Sequence, residues 1–157
     1  MAGGAPHGMK RGGARAQNWL RQEKSCRAFG TELGRDATPR EADLPRFVDL
    51  SKDFHGKAAM EAKGIRSKCV TLLIDGPDDA DPWGREALYH GDTRVGRLTS
   101  GGYSVAFGKS IGMGYVTPDL ATPGTQLKVK MFDQLWDAEV TEDSPYDPKN
   151  ETIRKDG

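Results

Sequence analysis

After Gly64 the chain reads as a succession of short strands with no helical pattern between them, and nothing else in the sequence restricts the fold as much. The run CVTLLID, Cys69–Asp75, is aliphatic and β-branched, and the turn cluster DGPDDADP bounds it, so it predicts a buried strand. EALYH and TRVGRLTS come next, separated by Gly91-Asp92, where glycine at the first central position suits a tight hairpin of the II′ kind. SVAFGKSIGMGYV, TQLKVKM and LWDAEVT continue the texture, the last two joined by Phe132-Asp133-Gln134. Five short strands following the first without a helix favour a small antiparallel barrel or sandwich. Composition agrees: 36% hydrophobic residues, against about 45–50% in ordinary globular domains, with 20 Gly and 9 Pro, imply a lean core and many turns.

The part before Gly64 has a different texture. Residues 1–8 are small and Gly/Pro-rich, a composition that predicts a disordered start. ARAQNWLRQEK puts Ala16, Trp19 and Leu20 at helical spacing, which predicts a short amphipathic helix ending near Glu23. CRAFGTEL has no clear period. In RDATPREADL, Thr38 as N-cap, Pro39 at N1 and Glu41 close behind predict one helical turn. Arg46–Leu50 is short enough for an edge strand, and SKDFHGKAAMEAKG predicts a helix closed by Gly64.

Charge and motif content exclude several functions. The chain has 23 Lys plus Arg and 23 Asp plus Glu, so it lacks the global field of a nucleic-acid or membrane binder. The balance hides a split: residues 1–66 hold 13 basic and 8 acidic side chains, residues 67–157 hold 10 and 15. Cys26 and Cys69 stand apart from each other and from His7, His55 and His90, leaving no metal-ligand spacing. No apolar run approaches the roughly 18 residues that would span a bilayer, and a cytoplasmic, reducing compartment is expected. FGKS supplies only the end of a phosphate-binding GxxxxGK[ST] loop, with Tyr103 where its first glycine belongs, so Gly101, Gly102, Gly108, Gly112 and Gly114 read as barrel corners. No dinucleotide fingerprint, calcium loop or nucleophile elbow is present, and no catalytic residue is assigned.

One carboxylate stands out. Glu23 ends the first helix among Arg21, Lys24 and Arg27, where it could hold a planar nitrogenous ring by two hydrogen bonds; by spacing alone, an exposed ion-pair cluster is the simpler account.

Read as motifs, six segments in register resemble the folate-binding aminomethyltransferase family, meaning the glycine cleavage T-protein and the related C-terminal portion of dimethylglycine and sarcosine dehydrogenases. NWLRQEKSCRAFGTEL is similar to the family's LRLEKGYRAWGxEL, ATPREADL to TPxEAGL, and SKDFHGKAAM to DKDFIGREAL. VGRLTSGGYSVAFGKSIGMGYV is similar to VGxVTSGxxSPxLGKSIAMAYV, and PGTQLKV to PGTxLxV. SPYDPKNETIR resembles the dehydrogenases' PxYDPxNxRxR, which favours that branch. The departures are Gln22 and Asp43-Leu44-Pro45, where apolar residues or glycine are usual.

The resemblance implies an α+β class: the tail of a folate-binding domain over residues 9–64, an antiparallel β-barrel over 65–150 and a short tail over 151–157. It implies tetrahydrofolate as cofactor, with Glu23 hydrogen-bonding the pterin ring and Lys52 and Arg66 as the basic residues nearest its glutamate tail. The family's catalytic Asp and the dehydrogenases' FAD belong to upstream segments, so the chain is expected to be a C-terminal portion that is inactive alone, with an N-terminal polypeptide or a second copy as partner. The alternative is a non-catalytic barrel that packs on and stabilises a partner carrying the active site.

Overall fold

A computed structural model of the chain describes residues 3–10, 12–77 and 79–155. Its centre is a closed barrel of six strands: β1 (Lys68–Ile74), β2 (Ala87–His90), β3 (Thr93–Ser104), β4 (Lys109–Val116), β5 (Gln126–Met131) and β6 (Gln134–Thr141). Around the barrel the order is β1-β4-β3-β2-β5-β6, and all the paired neighbours are antiparallel. Closure leaves no sheet edge to solvent.

The period-2 pattern fills the interior. On β5, Leu127, Val129 and Met131 point inward while Lys128 and Lys130 alternate with them. Val70, Leu72 and Ile74 of β1 join Leu88, Leu98, Val116, Ala138 and Val140 in the same core. Each fully buried Leu or Ile contributes about 1.5–3 kcal/mol. The outward face of β1 is shielded from solvent as well, because the preceding segment covers it: the Cys69 amide donates to the Glu41 carbonyl at 2.8 Å and the Thr71 and Ser25 hydroxyls are 2.7 Å apart.

The turns follow backbone demands. Gly91 supplies φ +58° between β2 and β3, as the II′ reading requires. Between β5 and β6 only Phe132 and Asp133 form the turn, at φ +49° and +61°, and Gln134 already pairs with Met131. Ser104 closes β3 rather than opening the next strand, since Gly101–Ser104 pair along β4 and the turn occupies 105–108.

Ahead of the barrel, α1 (Ala14–Glu23) forms as expected but buries a different face. Leu20 is 62% exposed and Ala16 is exposed, while Gln22 and Glu23 are buried. The helix lies on β3 and β4, with Trp19 filling the space a Cβ on Gly102 would need, and its last turn meets a barrel wall carrying Ser100 and Ser104. A wall of hydroxyls rewards a polar partner.

Thr38 and Glu41 form the expected single turn as a capping box, with the Thr38 amide donating to Glu41 Oε2 at 2.8 Å and the Glu41 amide to Thr38 Oγ1 at 3.2 Å. The edge strand expected at Arg46–Leu50 is absent: Pro45–Phe47 is a 3₁₀ turn with Phe47 71% exposed, and among the described residues Arg46–Leu50 pairs with no strand. α2 (Lys57–Lys63) ends at Gly64, φ +68°. Of the start expected to be disordered, residues 3–8 carry a 3₁₀ turn at Ala5–His7, and residues 1–2 lie outside the described residues. Beyond the barrel, α3 (Glu151–Arg154) is capped by Asp147, whose Oδ1 accepts from the Glu151 amide at 2.7 Å.

The overall class is therefore α+β around a barrel, but a separate folate-binding unit is not evident over residues 9–64. Among the described residues of that segment the only buried hydrophobic side chains are Ala42 and Met60, and the rest of its buried set is polar, including Gln22, Glu23, Ser25, Glu32 and Glu41. Its order comes from hydrogen bonds to the barrel rather than from a core of its own.

Candidate functional site

Glu23 sits at the C-terminal end of α1 with only 5% of its surface exposed. Its Oε1 accepts from the Ser104 hydroxyl at 2.5 Å and from the Ala106 amide at 3.4 Å, so the last residue of β3 and the following turn fix the carboxylate. Oε2 takes no hydrogen bond among the described residues. A buried carboxylate with one oxygen held and the other without a hydrogen-bond partner can still accept an N–H donor from a planar ring. The exposed ion-pair cluster suggested by spacing is not what forms. Arg21 pairs with Glu32 at 2.8 Å, Arg27 pairs with Asp143 at 2.8 Å, and Lys24 donates to the Tyr146 and Asp147 carbonyls and to Asn150 Oδ1.

Periodicity does not single out Glu32, yet it is the most heavily bonded side chain among the described residues of the segment. Oε1 accepts from Thr99 at 2.8 Å and Ser100 at 2.6 Å; Oε2 accepts from Arg21, the Ala28 amide at 3.0 Å and Thr31 at 2.7 Å. A bulge in β3 between Leu98 and Ser100 presents both hydroxyls to the same oxygen. Burial alone would push its pKa up, but the donors from Ser100, Ala28, Thr31 and Thr99 outweigh it and hold the group below the usual carboxylate range. The only sequence signal for it is its place as the Glu of CRAFGTEL.

Lys52 and Arg66 are not brought to Glu23 by any hydrogen bond or ion pair among the described residues. The Lys52 side chain is 76% exposed and meets Asp49 at 3.5 Å. Arg66 reaches Glu41 at 3.5 Å and the Asp36 carbonyl at 3.4 Å, at the mouth of a cleft beside β3 and β4. Lys109, which the incomplete phosphate loop contained, pairs with Asp75 at 2.6 Å. Both cysteines are free, and burial pushes the Cys69 thiol up to about 12. The departure at Gln22 leaves its Oε1 buried without a partner, and Asp43 occupies φ +58° where glycine is usual in the resembling family. No helix among the described residues is long and apolar enough to cross a membrane.

Comparison with known proteins agrees with this architecture. The family model for the glycine cleavage T-protein C-terminal barrel domain matches residues 68–147. Dimethylglycine dehydrogenase, mitochondrial, of Rattus norvegicus is 35% identical over all of this chain, which spans 19% of that protein. An aminomethyltransferase of Saccharopolyspora erythraea is 39% identical over 80% of this chain and 35% of its own length. The crystal structure of glycine cleavage system aminomethyltransferase T from Bartonella henselae superposes with a TM-score of 0.76 at 23% identity, covering 85% of this chain and 38% of that one, a likeness of fold. With residues 68–147 matched by its model and folded as the closed barrel, the chain belongs to the glycine cleavage T-protein C-terminal barrel family.

Proposed function

We propose that the chain supplies one wall of a tetrahydrofolate site in an enzyme of the dimethylglycine/sarcosine dehydrogenase or aminomethyltransferase type, where a one-carbon unit passes from a methylated amine to folate. The observation that carries the reading is the buried Glu23 carboxylate, fixed by Ser104 and Ala106 through one oxygen and open at the other. The residues present fit the group: a folate ring offers N–H donors that a held carboxylate can accept, and a Gln would reproduce only part of that recognition. Folate, when bound, supplies the nitrogen nucleophile that accepts the one-carbon unit. What this chain contributes is orientation, through Glu23, and exclusion of water, through the barrel behind it.

In this reading residues 9–64 carry the folate-facing side chains and 65–150 the barrel that positions them. Lys52 and Arg66 are the basic residues offered to the anionic tail, with Arg66 the better held. Other segments supply the catalytic carboxylate and, in dehydrogenases, the flavin. A cytoplasmic, reducing setting suits the two free thiols. The non-catalytic alternative, a module that packs on and stabilises a partner, has its own support in exposed apolar side chains ahead of the barrel: Leu20 at 62%, Phe29 at 87% and Phe47 at 71%.

The two readings part in a titration of the chain with a reduced folate by calorimetry. Saturable binding that falls at least about tenfold in Glu23→Ala, the loss of roughly 1.4 kcal/mol, supports the folate site. Tight binding indifferent to Glu23→Ala removes the role assigned to Glu23, and no binding leaves the packing module.

A further inference from the structure

Between the loop of residues 30–37 and the outer face of β3 and β4 lies a cleft of about 420 Å³ whose cationic lining is Arg66, Arg85 and Arg97, with Tyr115 beside them. We infer that this cleft is an oxyanion site, built for a carboxylate or phosphate group held chiefly by Arg85 and Arg97.

Placement of the two arginines is fixed by backbone. The Arg85 amide donates to the Leu98 carbonyl at 2.8 Å, the Leu98 amide donates to the Glu86 carbonyl at 2.8 Å, and Arg97 pairs with Ala87, so both side chains spring from neighbouring rungs of one ladder. Across the next strand Arg97 faces Tyr115, whose hydroxyl is committed to the Glu32 carbonyl at 2.7 Å and so helps hold the opposite wall.

Charge is left over in this cleft. Its two acidic lining residues are Glu32 and Asp36. Glu32 is occupied by Arg21, Thr31, Thr99, Ser100 and the Ala28 amide, and is therefore not a partner for the lining arginines. Arg66 already meets Glu41. Among the described residues, Arg85 and Arg97 make no ion pair and no side-chain hydrogen bond. Two guanidiniums without ion-pair partners, set against the one such carboxylate of the lining, Asp36, leave a net positive charge on a concave surface, which suits the planar oxygens of a carboxylate or phosphate.

A second observation concerns Arg85 alone. It sits at φ +85°, directly after Gly84 at φ +102°. A long side chain in the left-handed region is unfavourable, and glycine would relieve it at no steric cost. Arginine held there against its own backbone preference marks a position where the side chain is needed for something other than the fold.

The inference stands apart from the Glu23 reading, with Arg66 the one residue shared. The full chain is titrated with glutarate and, separately, with inorganic phosphate, followed by amide shifts of residues 30–37, 85 and 97, in the wild type and in Arg85→Gly, Arg97→Gln, Arg15→Gln and Glu23→Gln. Saturable shifts are expected with at least one anion, and which one identifies the source. Arg97→Gln should weaken binding about tenfold or more, the worth of one charged bidentate contact. Arg85→Gly should do the same while melting at or above the wild-type temperature. Arg15→Gln and Glu23→Gln should bind as wild type. The inference is overturned by an absence of saturable shifts with both anions, by wild-type binding in Arg97→Gln, or by loss of binding in Glu23→Gln.

Discussion

Two carboxylates separated by a short stretch of chain are buried for different purposes. Glu41 is 1% exposed; burial works to raise it, but the Thr38 and Arg66 amides, the Thr38 hydroxyl and the Lys63 charge together hold it down at about 2. A carboxyl whose folded value lies below its ordinary 4.5 contributes stability that is complete above that value and is lost as pH falls toward 2. The urea midpoint of the chain should therefore fall steeply across that window, and Glu41→Gln should cost about 3 kcal/mol at pH 7 while flattening the fall; an unchanged acid limb in the variant would remove this account. Glu23, in contrast, keeps an oxygen without a partner. Ser104→Ala takes away the closer of the two donors to Oε1 and is expected to destabilise the chain by about 1–3 kcal/mol in chemical denaturation, with reduced folate binding on top of it. Neither role was legible from residue type. Glu41 could be read from the Thr-x-x-Glu spacing, and Glu23 only from its place in a family stretch, because what sets it apart is a serine 81 positions away.

At the level of elements, strands were easier to read than helix faces. The aliphatic and β-branched runs located all six strands, since inward-facing residues in a closed barrel must be apolar whatever surrounds them. Of the apolar stripe expected on α1, Trp19 packs on the barrel at Gly102 while Ala16 and Leu20 stay exposed, because the last turn meets a polar, hydroxyl-lined surface through Gln22 and Glu23. At Gly102 the Trp19 ring of α1 occupies the space a Cβ would need. Gly102→Ala should push Trp19 off β3 and cost about 1–3 kcal/mol, visible as a shifted tryptophan emission together with a lower melting temperature; wild-type emission would show that α1 is not docked there. The β5–β6 turn holds Phe132 and Asp133 in a conformation that Asn-Gly adopts far more readily. Replacing the pair by Asn-Gly should raise the melting temperature by about 2–4 °C, and a fall would mean that the 76% exposed Phe132 ring is engaged with something outside the described contacts.

For the whole molecule, the change in sequence texture after Gly64 proved to be a boundary in how order is achieved. The barrel is organised by apolar burial; the segment ahead of it is organised by polar contacts made across to the barrel, such as Glu32 to Thr99 and Ser100 and Ser25 to Thr71. A segment of that kind has no periodic signature of its own, which is why only the resemblance, and no pattern in the residues, gave it an identity. The charge split has a counterpart too, since acidic residues beyond Gly64 such as Asp143 receive basic ones ahead of it such as Arg27. We propose that Glu23 receives a folate ring between helix and barrel. The most direct measurement is a carbon-detected NMR titration of the carboxyl-labelled chain with tetrahydrofolate. A saturable shift at the Glu23 carboxyl, accompanied by the Ala106 and Phe107 amides and absent in Glu23→Gln, is the predicted result; folate binding that leaves the Glu23 carboxyl unmoved would contradict it.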